Sequence, residues 1–242
     1  MDMLSTPEFW IAVGQIIMID ILLGGDNAVV IALACRKLPP KQRAQGIIWG
    51  TAGAIGLRVV LIFFALTLLA IPFLKLVGAA LLVWIGIKLL APDDEGGHDV
   101  QASDRLWAAV KTVIVADLVM SVDNVIAIAG AAEGAGGQHK MPLVVFGLLV
   151  SIPIIVWGSQ FVIRLMDRFP VVITLGGMLL GWIAGTMAVT DPAVVGWVPT
   201  EADKKGALQV LDSVRYASGV IGAVLVYGLG QLVLKRRRSA AS

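Results

Sequence analysis

Two acidic motifs inside long apolar segments contain residue types that could bind a metal cation. In each motif two aspartates are separated by five residues and followed by an asparagine, and the second copy comes 97 positions after the first. The six residues are Asp20, Asp26, Asn27, Asp117, Asp123 and Asn124. A charged side chain at the centre of a bilayer costs roughly 2.5–3.5 kcal/mol on insertion scales, so it usually marks an ion or substrate pathway. We therefore predict that the two motifs form one site.

The ligand atoms that these motifs offer are all oxygen. Carboxylate and amide oxygens suit hard divalent cations, with Mg²⁺, Ca²⁺ and Mn²⁺ as the candidates, whereas zinc or copper(I) would favour imidazole or sulfur. The single cysteine, Cys35, permits no internal disulfide, and His98 and His139 lie in polar stretches. The sequence thus predicts a divalent cation as the bound ligand, and no cofactor.

Helix geometry limits which aspartates can bind the same ion. On an unbroken helix, Asp20 and Asp26 would lie about 9 Å apart along the axis and about 120° apart in direction. Gly24-Gly25 permits conformations outside the helix, and a break there would free carbonyl oxygens beside Asp26. We therefore predict a discontinuous first helix. The second copy has Ser121-Val122 at this place, which predicts a smaller distortion.

The repeat also predicts different roles for the four carboxylates. Asp26 and Asp123 occupy equivalent places in the two copies, so we expect these two to bind the ion together. Asp20 and Asp117 would then serve as a second station or as proton carriers. Arg58, mid-way along the second apolar segment, is the one cation at similar depth. It could be a structural partner of an aspartate or a gating residue.

The composition identifies the elements that must position these residues. Of 242 residues, 58% are hydrophobic and 15% charged, and the mean hydropathy is +0.88. A soluble core could not use so much apolar surface, so the chain is predicted to be an all-α polytopic membrane protein. Seven apolar segments are long enough to cross a bilayer, near 9–34, 44–70, 72–90, 107–131, 142–164, 169–189 and 214–234.

An internal repeat extends beyond the acidic motifs. Pro72, Gly78 and Trp84 recur 98 positions later as Pro170, Gly176 and Trp182. Because each copy contains three crossings, the copies must have opposite orientations, which is the inverted-repeat architecture of many transporters. A single transmembrane domain, 1–242, is predicted, with repeat A at 9–90, a cytoplasmic linker at 91–106, repeat B at 107–189, an outer loop at 190–213, a seventh helix at 214–234 and a basic tail at 235–242.

The distribution of basic residues predicts the orientation. If the N-terminus lies outside, thirteen Lys and Arg residues fall on the cytoplasmic side and five on the outer side. The positive-inside rule then places the N-terminus outside and the C-terminus in the cytoplasm. In the outer loop, Thr200 and Asp203 are spaced as in a helix-capping motif, which predicts a short helix there.

The motif segments resemble the TerC family of membrane proteins, within the broader LysE-like superfamily. The resemblance is carried by DILLGGDNAVVIALA at 20–34, CRKLPPKQRAQGIIWG at 35–50 and DLVMSVDNVIAIAGAA at 117–132. It implies a seven-helix, multi-pass metal-ion transporter of the bacterial inner membrane, associated with manganese efflux and, by name, with tellurium resistance. Transferred to this sequence, all six motif residues become metal-site positions. The expected partners are the metal ion and the lipid bilayer, with no nucleic acid; the oligomeric state stays open, with a homodimer as one option.

Three other functions are weighed against a metal exporter. The superfamily suggests an exporter of cationic or amino-acid solutes, which would need more hydrogen-bonding groups near the aspartates. An intramembrane aspartyl protease would place two aspartates on separate helices, but its Tyr-Asp and Gly-x-Gly-Asp motifs are missing around Asp26 and Asp123. Protonated acids joining helices in a scaffold are the third option. We therefore expect that the protein is not an enzyme.

Overall fold

The described part of the chain is almost entirely α-helical. A computed structural model describes residues 7–69, 71–91, 102–134, 140–202 and 208–241, with seven α-helices and one two-stranded sheet. The helices are α1 Pro7–Cys35, α2 Pro40–Leu69, α3 Leu74–Leu90, α4 Ala102–Gly134, α5 Lys140–Arg168, α6 Val171–Val189 and α7 Asp212–Ala241. Each overlaps one predicted apolar segment, so the all-helical prediction is confirmed. Most of the predicted linker, and both histidines, lie outside the described residues.

Four stretches within these helices are long and apolar enough to cross a bilayer among the residues described. They are Pro40–Ile62, Leu148–Arg168, Val171–Val189 and Asp212–Arg237. With 17 residues, α3 is shorter, at about 25 Å for a rise of 1.5 Å per residue. The seven crossings and their orientation therefore stay predictions.

The predicted break in the first helix is wrong, because α1 runs without interruption through Gly24-Gly25. Likewise, α4 continues through Ser121-Val122. Two glycines permit a break but do not impose one, and in hydrocarbon each backbone group without a partner costs several kcal/mol. The helical hydrogen bonds are therefore kept. Gly25 leaves open space instead, since a Cβ at this position would have no heavy atom of the described residues within 4 Å.

The prediction that a short helix begins at Thr200 is also wrong, and residues 203–207 lie outside those described. Strand β1, Thr200–Ala202, pairs antiparallel with strand β2, Leu208–Val210, and Thr200 lies opposite Val210. The Leu211 N–H donates to the Pro199 carbonyl at 3.1 Å, which extends the pairing beyond the strands. Val210 is buried. Burial of this side chain and cross-strand hydrogen bonds thus outweigh a capping pattern that is only local.

Contacts divide the chain into two compact units. The first contains Met1–Leu66 and Ala102–Arg164, and therefore α1, α4 and most of α2 and α5. Within it α1 packs against α4. A Cβ at Gly53 of α2 would lie 2.6 Å from the Ile114 side chain of α4, so glycine allows these helices to approach closely.

The second unit contains Thr67–Gln101 and Leu165–Ser242, and so α3, α6 and α7. In this unit α6 packs against both other helices. Gly181 of α6 and Gly222 of α7 meet backbone to backbone, since a Cβ at Gly181 would lie 2.3 Å from the Gly222 carbonyl oxygen. Any larger residue at this crossing would force the helices apart.

A carboxylate from the segment after α6 caps the start of α3. The buried Asp191 accepts backbone hydrogen bonds from Phe73 at 2.9 Å, Lys75 at 3.0 Å, Leu76 at 3.2 Å and, locally, Ala193 at 2.7 Å. Phe73 has a φ of 67°, which is uncommon for a bulky residue, and this capping holds it there. Burial alone would raise the pKa of Asp191, but the four N–H donors outweigh it and keep the pKa below its ordinary 3.8.

Replacement of Asp191 by alanine is expected to lower the free energy of unfolding by about 2 kcal/mol, the upper range for loss of a cap. Because the folded pKa lies below the unfolded value, the contribution is present above the unfolded pKa and is lost as the pH falls through the folded pKa. Denaturant unfolding in detergent, at about pH 7 and at acid pH, measures both effects. Glu201→Ala, an exposed carboxylate nearby, should change stability by less than about 0.5 kcal/mol. An equal loss in both variants would contradict the capping role.

Candidate intramembrane ion site

An ion pair and a hydroxyl form a buried polar network between α2 and α4. Arg58 of α2 is 2% exposed, and Asp117 and Ser121 of α4 are 6% and 0% exposed. Asp117 and Ser121 are four residues apart, so they share one face of α4. The Arg58 Nη2 group pairs with Asp117 Oδ1, Nε donates to Ser121 Oγ at 3.0 Å, and the Ser121 hydroxyl donates to Asp117 Oδ2 at 3.1 Å.

This network pairs two opposite charges in the protein interior, where either charge without the other would be strongly destabilising. Removing one member of a buried pair typically costs 3–5 kcal/mol, because the other charge is left uncompensated. Ser121 has a double role, since its hydroxyl accepts from Arg58 and donates to Asp117. In the sequence, Ser121 indicates only a small distortion of the helix. Its spacing of four residues from Asp117 is the signal that could have identified it.

The first motif contributes a carboxylate close to this network. Asp26 of α1 is partly buried, and its Oδ1 accepts the backbone N–H of Asn27 at 2.8 Å. Asp26 lies within electrostatic range of both Asp117 and Arg58. Three helices, α1, α2 and α4, therefore bring charged groups into one region of the first unit.

Asn27 has a buried side chain whose polar groups are not satisfied. The residue is 4% exposed, and neither Oδ1 nor Nδ2 makes a hydrogen bond in the part of the chain that the structure describes. A buried polar group left unpaired costs about 1–3 kcal/mol. Such an amide, directly after Asp26, is suited to a ligand that supplies the missing interactions.

Thr51 is a second buried polar residue of this kind. It is 1% exposed, and its hydroxyl has no hydrogen-bond partner among the described residues. Thr51 precedes Arg58 by seven residues, about two helical turns, so both lie on the same face of α2. Its spacing of seven residues from Arg58 is the signal in the sequence that could have identified it.

The structure locates only some of the predicted site residues. The side chains of Asp20, Asp123 and Asn124 lie outside those described, so the predicted pairing of Asp26 with Asp123 stays a prediction. Asp26 lies within electrostatic range of Asp117, the first aspartate of the other motif. Among the described side chains, no group of three or more carboxylates, histidines and cysteines could hold a metal ion. A complete site would thus need amide or hydroxyl oxygens, or the carboxylates not described.

These features define an integral membrane protein with a polar site buried among its helices. The chain belongs to the integral membrane protein TerC family, whose profile it matches over residues 5–239. The resemblance noted in the motifs is thereby confirmed over nearly the whole sequence.

Several relatives carry membrane-protein names. The chain is 45% identical to "Uncharacterized membrane protein YjbE" of Bacillus subtilis over 184 residues, covering 76% of this chain and 82% of the relative. It is 27% identical to "Uncharacterized membrane protein YceF" of the same species, covering 77% and 74%. It is 24% identical to "UPF0053 inner membrane protein YgdQ" of Escherichia coli, covering 69% and 75%. No solved structure matches the sequence.

Proposed function

We propose that this protein is a transporter, not an enzyme, which exports a divalent metal cation, with Mn²⁺ the favoured substrate. The observation that carries the proposal is the buried side-chain amide of Asn27, which lies beside the Asp26 carboxylate and has no hydrogen-bond partner among the described residues. Carboxylate and amide oxygens together match the ligand preference of hard cations such as Mn²⁺. Asp20, Asp123 and Asn124 complete the ligand set in this proposal.

Arg58 has a defined role in such a mechanism. With Arg58 on Asp117, the charge of Asp117 is compensated, and Asp26 supplies the remaining negative charge. A divalent cation that binds Asp26 and Asn27 would compete with Arg58 for Asp117. When the ion leaves, Arg58 can pair with Asp117 again, so no bare carboxylate stays in the apolar interior.

The proposed location is the bacterial inner membrane, with the N-terminus outside and the C-terminus in the cytoplasm. The name of the Escherichia coli relative supports the inner membrane as the location. The excess of basic residues on one side supports the orientation. A reporter that fluoresces only in the cytoplasm is expected to be bright when fused after Arg238. A dark fusion of an intact membrane protein would reverse the orientation.

Flux measurements on the purified full chain in liposomes test the function. We expect Mn²⁺ uptake by the wild type, and a loss of at least about tenfold for Asn27→Leu, because the amide oxygen is removed from the site. Gln45→Leu, which removes an exposed amide from α2, is the matched control and should retain the flux. Wild-type liposomes that transport lysine or arginine but no divalent cation would instead support a solute exporter.

A further inference from the structure

A cavity with two arginines lies between the first turns of α2 and the later turns of α5. Its volume is about 240 Å³, and both helix segments belong to the first compact unit. Arg43, Gln160 and Arg164 supply its polar groups, and Pro40, Ile47 and Ile163 form apolar walls. Since a water molecule in the liquid occupies about 30 Å³, the cavity could hold a group several times larger than water.

The charges that line this cavity all have one sign. As far as the described residues show, the lining includes two guanidinium groups and one amide but no carboxylate. Arg43 is oriented by the turn before α2, because its Nη2 donates to the Arg36 carbonyl at 2.7 Å. Guanidinium groups are planar and present several N–H donors in a fork that matches a phosphate, and they keep their charge at any physiological pH.

The start of α2 adds to the same preference. Pro40 is the first residue of α2 and also lines the cavity, so the positive end of this helix dipole lies at the edge of the cavity. Helix α5 continues beyond the cavity to Arg168, one turn after Arg164. The last carbonyl groups of α5, at the negative end of its dipole, therefore lie beyond the cavity. Two arginines and a helix N-terminus therefore act on the same space.

We propose that this cavity binds a phosphate group, either in the headgroup of an anionic phospholipid or as free phosphate. The predicted topology supports this chemistry, because it places the cavity residues Arg43 and Arg164 on the side where the basic residues of the sequence concentrate. Basic pockets between transmembrane helices on that side are known to accept anionic headgroups. None of the residues that line the cavity belongs to the network around Asp26, and this proposal does not depend on the transport proposal.

Thermal unfolding of the purified full chain in a neutral detergent tests the proposal. Inorganic phosphate and short-chain phosphatidylglycerol are added separately, with short-chain phosphatidylcholine as the zwitterionic control. A saturable rise of the unfolding midpoint with phosphate would identify free phosphate, and a rise with phosphatidylglycerol alone would identify the headgroup. No rise with either, or an equal rise with phosphatidylcholine, would overturn the proposal.

Matched variants assign the effect to this cavity. Arg43→Gln with Arg164→Gln should weaken the apparent affinity at least about tenfold, the loss expected for charge-assisted hydrogen bonds. Arg105→Gln with Lys111→Gln removes two exposed charges from α4 in the same unit and should leave the affinity unchanged. If the first double variant does not fold, Arg164→Gln alone, at an exposed position, gives the same test. Equal weakening in cavity and control variants would mean a general surface effect and contradict the site.

Discussion

Replacement of Asp26 by asparagine is expected to abolish detectable metal binding, with a loss of affinity of at least about 100-fold. The substitution removes the one described carboxylate of the first motif while it keeps the size of the side chain. The measurement is calorimetric titration of Mn²⁺ into the purified variant, with folding checked separately by helix content. Asp104→Asn, an exposed carboxylate at the start of α4, is the matched control and should bind as the wild type does.

The other motif carboxylates extend this prediction. Asp123→Asn should abolish binding as Asp26→Asn does, since the two positions are equivalent in the repeat. Asp20→Asn and Asp117→Asn should impair transport while some binding remains. If a folded double variant, Asp26→Asn with Asp123→Asn, kept the wild-type affinity, the metal site would have to lie elsewhere in the protein.

Replacement of Arg58 by methionine is expected to lower the free energy of unfolding by about 3–5 kcal/mol, because Asp117 would stay buried without its counter-charge. Removal of both charges, in Arg58→Met with Asp117→Leu, should recover most of that stability. Denaturation in detergent measures the free energy of unfolding of the purified wild type, the single variant and the double variant. Arg105→Met, at an exposed arginine of α4, should change stability by less than about 0.5 kcal/mol.

Transport by the same variants separates structure from function. The double variant should fold and yet fail to move Mn²⁺, because it lacks both the carboxylate and the tethered cation. An Arg58→Met variant with wild-type stability would show that the buried pair does not stabilise the fold. A double variant that is stable and transports normally would limit Arg58 and Asp117 to a structural role.

Much of the fold could be predicted from the sequence, because a helix in an apolar environment is specified by interactions between residues that are close in the sequence. Each helix satisfies its own backbone hydrogen bonds, so a sufficiently long apolar stretch is enough to specify it. The seven segments therefore coincide with α1 to α7. Local patterns were less successful where they compete with context: Gly24-Gly25 does not interrupt α1, and Thr200 begins a strand.

The sequence by itself determined which charged residues lie within apolar segments and that the acidic ones occur in two equivalent motifs. Only the tertiary structure decided that Arg58 pairs with Asp117 and that Asn27 and Thr51 are buried, with side-chain polar groups that have no hydrogen-bond partner among the described residues. Such pairings depend on how each helix is rotated about its axis and which neighbour it meets. Those rotations follow from side-chain packing, such as the close approach of Gly53 to Ile114, which joins residues 61 positions apart in the sequence. A hydropathy profile cannot predict such contacts, because it averages the residues within one segment and carries no information on which segments pack together.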